Sequence, residues 1–254
     1  MVNKELFDRK LLRKNLTRFS NYNQEHDIIN NRVSNKIIDD LDYLKQFPVN
    51  ILEMNYSNDL IFNYLNNQYQ INNYVKGNKE LIFDEEFMPF KPNKFDLIIS
   101  NLAMQFINNV PNFLKRIHNS LMTDGSVFIS FFGEDNLSEL SNSIYYSENL
   151  LYNHITPRMI PTIDIKTAGQ LMIKSGFKNI VVDQDQFIIN YQNTREFLIN
   201  LKKMGLGNIL VDKTRKFFTK KLYHQLIKFY QNNYKNSDGE IYATYKILTI
   251  YAQK

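Results

Sequence analysis

The groups able to do chemistry in this chain fall in a few places. Two apolar runs, FDLIIS (95–100) and SVFISFF (126–132), end at Ser100-Asn101-Leu102 and at Phe132-Gly133-Glu134. Two buried runs with a helix between them form a right-handed βαβ unit of a parallel sheet, and such sheets hold ligands beyond the carboxyl ends of their strands. His154 and Arg158 stand in the proline-bounded run HITPRMIPT (154–162). His154 is a candidate proton carrier near neutral pH. Arg158 has two readings, a contact to an acidic substrate group or cover for a sheet edge. With 0 Cys and 4 His, the chain has no disulfide framework, thiolate metal site or Cys nucleophile. It also shows no His/carboxylate cluster at metal-ligand spacing.

The elements that must position these groups follow from hydrophobic spacing. Val110, Phe113, Leu114, Ile117 and Leu121 recur at helical intervals, with Pro111 in the first turn, and Asp124-Gly125 turns out of that helix. Upstream, helices are predicted over 1–20 (Leu6, Phe7, Leu11, Leu12, Leu16) and 26–44 (Ile28, Ile29, Val33, Ile37, Leu41, Leu44). His26 is read as a surface or capping residue. A short helix is expected over 59–65 and a strand over 69–75. Lys76-Gly77-Asn78-Lys79 then leads directly into ELIFDEE (80–86), which leaves no room for a helix between the second and third strands.

Downstream, a helix over 133–148 is capped by Asn136 or Ser138. Another over 164–177 ends at Gly176. A strand over 178–191, a helix over 193–208 and a long helix over 213–234 follow, and an antiparallel strand over 240–252 closes the chain. The long helix pairs an apolar stripe (Phe217, Phe218, Leu222, Leu226, Phe229) with a basic face (Lys213, Arg215, Lys216, Lys220, Lys221, Lys228). That face is either solvated or a dock for an acidic partner.

These words also carry a resemblance. FD-LIIS, a helix, and then L-x-x-DG-S-V-F-I-S resemble the second half of a class I S-adenosylmethionine (SAM) dependent methyltransferase. DEEFMPFKPNKFDLIIS, IHNSL-x-x-DGSVF and GEDNLSEL are similar to the complex I assembly factor 5 family, the arginine-hydroxylase assembly factors of mitochondria and their bacterial relatives. The resemblance implies an α/β, Rossmann-like class I methyltransferase fold. It comprises a mostly parallel seven-stranded sheet with helices on both faces and a small helical cap. Residues 1–48 would form a helical extension and 49–254 the methyltransferase-like domain, with the cap at about 133–164.

The resemblance also implies SAM as cofactor. Glu53 matches the acidic position after the first strand, Asn55 lies in the cofactor loop, and Asn72 or Asn73 stands for the ribose acid. Asp84 would reach the adenine amino group, with Glu85 beside it and Asn101 as further cofactor-binding candidates. In the loop Met54 to Asp59 the family's glycines are replaced by non-glycines, which predicts a loop that no longer closes tightly on SAM. Gln105 replaces a His general base, Glu148 matches a Glu at the pocket mouth, and Arg158 stands where relatives have His. The activities implied are SAM-dependent transfer to a protein or small acceptor, arginine hydroxylation of a complex I subunit, or non-catalytic assembly.

Composition bounds these readings. The 254 residues, 43% hydrophobic and 22% charged, suit one large domain with decorations. No apolar run approaches the roughly 20 residues of a bilayer span. No apolar h-region follows the basic start, so a signal peptide is not expected. The net charge of +5 comes without a nucleic-acid motif, and no metal site is expected. The expected partner is a protein substrate or respiratory complex subunit. The expected location is cytoplasmic and bacterial-type, or peripheral to an inner membrane.

Overall fold

The computed structural model describes residues 5–19, 28–45, 47–55, 58–77, 84–212 and 218–254. In chain order the elements are α1 (Arg9–Phe19), α2 (Ile28–Leu44), β1 (Asn50–Asn55), α3 (Leu60–Gln68), β2 (Asn73–Gly77) and β3 (Phe95–Asn101). Then follow α4 (Val110–Ser120), β4 (Leu121–Phe132), α5 (Ser138–Tyr152), α6 (Ile165–Lys174) and β5 (Lys178–Tyr191). The last three are α7 (Thr194–Lys203), α8 (Lys220–Asn233) and β6 (Ile241–Gln253). The strands form a 6-stranded sheet in the order β2-β1-β3-β4-β6-β5. β1 is parallel to β2 and β3, β3 is parallel to β4, and β6 runs antiparallel to β4. The sequence leads one to expect seven strands; residues 80–83, where the third would fall, lie outside the described residues.

By packing, the chain divides into two compact units. The sheet unit comprises Asn23–Gly133, Ile163–Asp185 and Ile247–Lys254. Its core forms because β3 is apolar at almost every position and α4 repeats Phe113, Leu114 and Ile117 on one face, all buried against Leu52, Ile98, Val127, Ile129 and Ile250. α4 is capped by the Asn109 side chain, which accepts from Asn112 N, and it carries Pro111 in its first turn. α6 is capped by Asp164 accepting from Thr167 N, and it ends at Gly176 with φ +96°, as the sequence predicts. At the amino ends of the strands the Asp96 carboxylate accepts from Val49 N at 3.1 Å and Asn50 N at 2.7 Å, fastening β1 to β3.

Asp124-Gly125 does not end α4. The helix stops at Ser120 and β4 begins at once, so this pair sits in an irregularity inside β4, where the register to β3 jumps from Phe95↔Leu121 to Leu97↔Ser126. Asp124 takes φ 62° there. A methyl group on Gly125 would lie 2.9 Å from Met122 O and 3.2 Å from Asp96 O, both backbone atoms. Gly125→Ala is therefore expected to cost about 1–3 kcal/mol, read as a fall of several degrees in melting temperature at roughly 2–4 °C per kcal/mol. An unchanged melting temperature would mean that the irregularity relaxes freely.

The helical unit comprises Met1–Tyr22, Glu134–Thr162 and Gln186–Lys246. α5, α7 and α8 pack around Leu222, Leu226, Phe197 and Tyr230, all fully buried. Tyr191 and Tyr245 meet through their hydroxyls at 3.0 Å, and Tyr230 donates its hydroxyl to Tyr242 O at 2.8 Å, so the buried phenols find partners. α1 is held by main-chain pairing of Phe7 with Leu210. The cap of α5 differs from expectation. Leu137, at φ 54°, occupies the N-cap without a side-chain bond, and Asn136 Oδ1 instead accepts from Lys246 N at 3.0 Å. Glu139, 5% exposed, accepts from Thr244 N and from its hydroxyl, which takes the carboxylate away from the helix terminus.

Candidate functional site

Glu53 lies in β1 at 0% exposure, and parallel pairing sets it opposite Lys76 on β2 and Ile99 on β3. Lys76 is also buried, at 6% exposure. Its ammonium stands 3.7 Å from Glu53 Oε2 and 2.5 Å from Asp59 Oδ1, and it donates to Asn58 O at 2.6 Å. Tyr74, two residues earlier on β2, donates its hydroxyl to Glu53 Oε2. One buried cation thus satisfies two carboxylates and a main-chain carbonyl at the carboxyl end of β2.

A second set of bonds crosses the carboxyl ends of β3 and β4. Ser130 Oγ donates to Asn101 Oδ1 at 3.0 Å and accepts from Leu102 N at 3.0 Å. Asn101 Nδ2 donates to Ser34 Oγ at 3.0 Å, and Ser34 Oγ donates to Asn58 Oδ1 at 3.2 Å. Asn58 Nδ2 then donates to Asn31 Oδ1 at 3.0 Å. The chain Ser130–Asn101–Ser34–Asn58–Asn31 runs from the end of β4 to α2, and Ser34, Asn101 and Ser130 are each 0% exposed. These five side chains at the ligand-binding edge of the sheet are therefore bonded to one another.

The structure places the other sequence candidates at several points of the sheet unit. Asn55 ends β1 opposite Asn101. Asn72 is corrected: it precedes β2, is exposed, and its amide donates at 2.9 Å to Val49 O at the amino end of the sheet. α3 continues through Gln68, so β2 starts at Asn73, and its carboxyl end carries Lys76 and Gly77 instead. Asp84 shapes its own turn, accepting from Glu86 N at 3.0 Å, and Glu85 is 2% exposed. Gln105 accepts from Phe132 N at 3.1 Å and so ties the turn after β3 to the end of β4.

Glu148, His154 and Arg158 belong to the helical unit. Glu148 is 1% exposed. It accepts from Thr156 N at 2.8 Å, Thr156 Oγ1 at 2.6 Å and Arg158 Nε at 2.6 Å. Burial alone pushes its pKa up, but the Thr156 hydroxyl and amide and the Arg158 guanidinium outweigh burial and hold the carboxyl below its ordinary value. His154 is exposed and its Nδ1 donates to Tyr152 O at 3.0 Å. Among the described residues, no group of three or more His, Asp or Glu could hold a metal ion. No helix among them is long and apolar enough to cross a membrane.

Sequence reasoning missed Lys76, Tyr74, Ser34 and Asn58. The available signals were a Lys closing the run YV and a Ser set among the buried positions Val33 and Ile37.

The parallel β1–β4 core with α4 crossing from β3 to β4, and the antiparallel β6, define a class I methyltransferase fold. A family described as "Methyltransferase domain" matches residues 41–129. The structure of YcgJ from Bacillus subtilis superposes with a TM-score of 0.52 at 11% identity, covering 88% of this chain and 98% of that one. A putative methyltransferase of Bacillus halodurans gives 0.51 at 14% identity, covering 85% and 98%. These likenesses establish the fold.

The family follows from sequence. "Arginine-hydroxylase NDUFAF5, mitochondrial" of Homo sapiens is 30% identical over 265 residues, covering 95% of this chain and 75% of the human protein. The chain belongs to the NDUFAF5 family. It spans only 48% of the length of the mouse and rat relatives. A "Putative methyltransferase RP459" of Rickettsia prowazekii is 29% identical over 160 residues, covering 63% and 70%.

The fold implies SAM at the carboxyl edge of the sheet, and the residues present do not fit it. Ribose hydroxyls at the end of the second strand call for a carboxylate acceptor, and that place carries Lys76, a donor already spent on Glu53 and Asp59. No glycine stands between Ile51 and Asp59 to let the main chain approach a ligand closely. Among the described residues of the edge, the Ser34, Asn58, Asn101 and Ser130 side chains already bond one another, while the buried Ser100 Oγ has no hydrogen-bond partner.

Proposed function

We propose that this chain is an assembly factor of respiratory complex I that binds a protein partner on a methyltransferase scaffold and does not use SAM. It works in a bacterial-type cytoplasm, at or near the inner membrane. The family supports the complex I role. The reading without SAM is carried by one observation, the buried Lys76 ion-paired to Glu53 and Asp59 where the ribose acceptor of this fold belongs.

The test of the cleft is a thermal melt with millimolar SAM or S-adenosylhomocysteine. A ligand at 100 times its Kd would add about 2.7 kcal/mol to the folded state, roughly 5–10 °C for a chain of this size. The expected shift is under about 1 °C, far below that figure; a shift of several degrees would return the chain to SAM chemistry. The test of the role is disruption of the gene in its source, which is expected to lower assembled complex I on native gels. Undiminished complex I would overturn it. A second reading, arginine hydroxylation, is favoured by the name of the human relative and its match over 95% of this chain. It calls for a gain of one oxygen mass on an arginine of a complex I subunit, present with the gene and absent without it.

A further inference from the structure

The helical unit carries an arginine arranged to receive an anion. Arg158 has a side chain only 12% exposed, and its Nε is spent on Glu148 at 2.6 Å. Its guanidinium carbon lies 5.2 Å from the Phe218 ring centroid. The loop bearing it is fastened on both sides, by Thr156 to Glu148 and by Asn208 Nδ2 donating to Pro157 O at 3.1 Å. The two Nη groups make no hydrogen bond among the described residues, and neither is sealed from solvent. A guanidinium pinned at its inner edge and along one face presents its outer fork to a carboxylate with little ordering left to do.

The two segments that supply Tyr152, Arg158 and Phe218 carry one exposed sign of charge. Across residues 140–163 and 218–237 the only acidic residue is Glu148, which is buried and engaged, while Arg158, Lys220, Lys221, Lys228 and Lys235 are cationic. α8 opens with Lys220 and Lys221 and has no acidic residue in its first turn. Cations at a helix amino end are locally unfavourable, and a bound anion would offset them. Tyr152, Ile155 and Phe218 are 37%, 55% and 42% exposed. The Tyr152 hydroxyl meets Thr219 Oγ1 at 2.7 Å, which joins the end of α5 to the start of α8. A recessed arginine among exposed aromatic and aliphatic groups has the make-up of a protein-binding hot spot.

We infer that this face docks an acidic segment of a protein partner, one carboxylate of which sits on the Arg158 Nη groups while apolar side chains of the segment lie on Tyr152, Ile155 and Phe218. The inference rests on the reading of the chain as an assembly factor with a protein partner. A membrane surface is the weaker match, because an anionic bilayer would engage the exposed lysines and has no need of a recessed, pre-aligned fork.

The test uses the full chain and a fluorescein-labelled synthetic peptide of alternating glutamate and phenylalanine. Its controls are the same peptide with lysine for glutamate, and vesicles containing one-third phosphatidylglycerol. The glutamate peptide is expected to bind and the lysine peptide not. Arg158→Lys, which keeps a cation for Glu148 but loses the fork, is expected to weaken binding about tenfold. Lys220→Glu with Lys221→Glu, both exposed and at the amino end of α8 where acidic residues do not destabilise the helix, is expected to weaken binding and flatten its dependence on salt. Equal binding by Arg158→Lys and the parent chain, with matching melts, would overturn the inference. So would binding to the vesicles alone, or no binding by the glutamate peptide. If the peptide arm fails while gene disruption still lowers complex I, the docking face falls and the assembly role stands. If complex I is undiminished, the role falls whatever the peptide does.

Discussion

Lys76→Ala is expected to lower the unfolding free energy by about 3–5 kcal/mol, because it strands the fully buried Glu53 carboxylate opposite an empty place. The loss should appear in urea titrations as an earlier midpoint with an unchanged slope. Removing both charges together is a different matter. Glu53→Gln with Lys76→Met fills similar volume without a buried ion, and buried pairs replaced by well-packed neutral groups are often neutral or stabilising. The double variant is therefore expected to recover to within about 1 kcal/mol of the parent, which gives a large coupling energy in the cycle. A cost below about 1 kcal/mol for Lys76→Ala would mean that water reaches the ammonium site, and the case for a filled cleft would lose its main support.

Glu148→Ala carries the second large effect. It removes an acceptor for Thr156 N, Thr156 Oγ1 and Arg158 Nε at one stroke and leaves the guanidinium with its inner edge unpaired. The expected cost is again about 3–5 kcal/mol, on the order of 10 °C in melting temperature. A pH series separates this from simple loss of packing. The folded-state pKa of Glu148 is held below its ordinary value. Its contribution is therefore fully present above the unfolded carboxyl pKa of about 4.3 and is lost as pH falls through the lower folded value. The parent chain should lose more stability than Glu148→Gln below about pH 4.3. Parallel losses in the two proteins would show that the carboxylate charge contributes nothing.

Much of the fold is legible in the sequence for physical reasons. β3 and β4 are apolar without alternation because both faces are covered, and α4 repeats its buried residues at helical spacing, so length and period identify all three. Asn109, Asp164, Asn193 and Thr219 cap their helices with side-chain acceptors of the types that favour that position, though the sequence reading named none of the four as a cap. The candidate site is much less legible. α3 runs on through Asn66, Asn67 and Gln68, a polar stretch with no glycine or proline to mark its end. The strand after it is therefore read early, and the residue at its carboxyl end is misplaced from Lys76 to Asn72. Family resemblance names Glu53 but says nothing of what satisfies it. The bonds that close the edge join Ser34 to Asn58 and to Asn101, 24 and 67 residues apart. No local period connects such residues; only the folded topology brings them together. Gln105 shows the same limit, since its bond to Phe132 N depends on β3 and β4 being neighbours.

The bonded chain from Ser130 to Asn31 has a consequence for how the protein is maintained in a cell. A fold whose edge is completed by a metabolite is most abundant when that metabolite is plentiful, because binding draws the equilibrium toward the native form. Here asparagine and serine side chains bond one another along the edge, and they travel with the polypeptide. On the reading proposed above, the folded population is set by the sequence alone and does not follow the supply of methyl donor. An assembly factor of this kind would, on the same reading, keep its folded population when the methyl donor runs short.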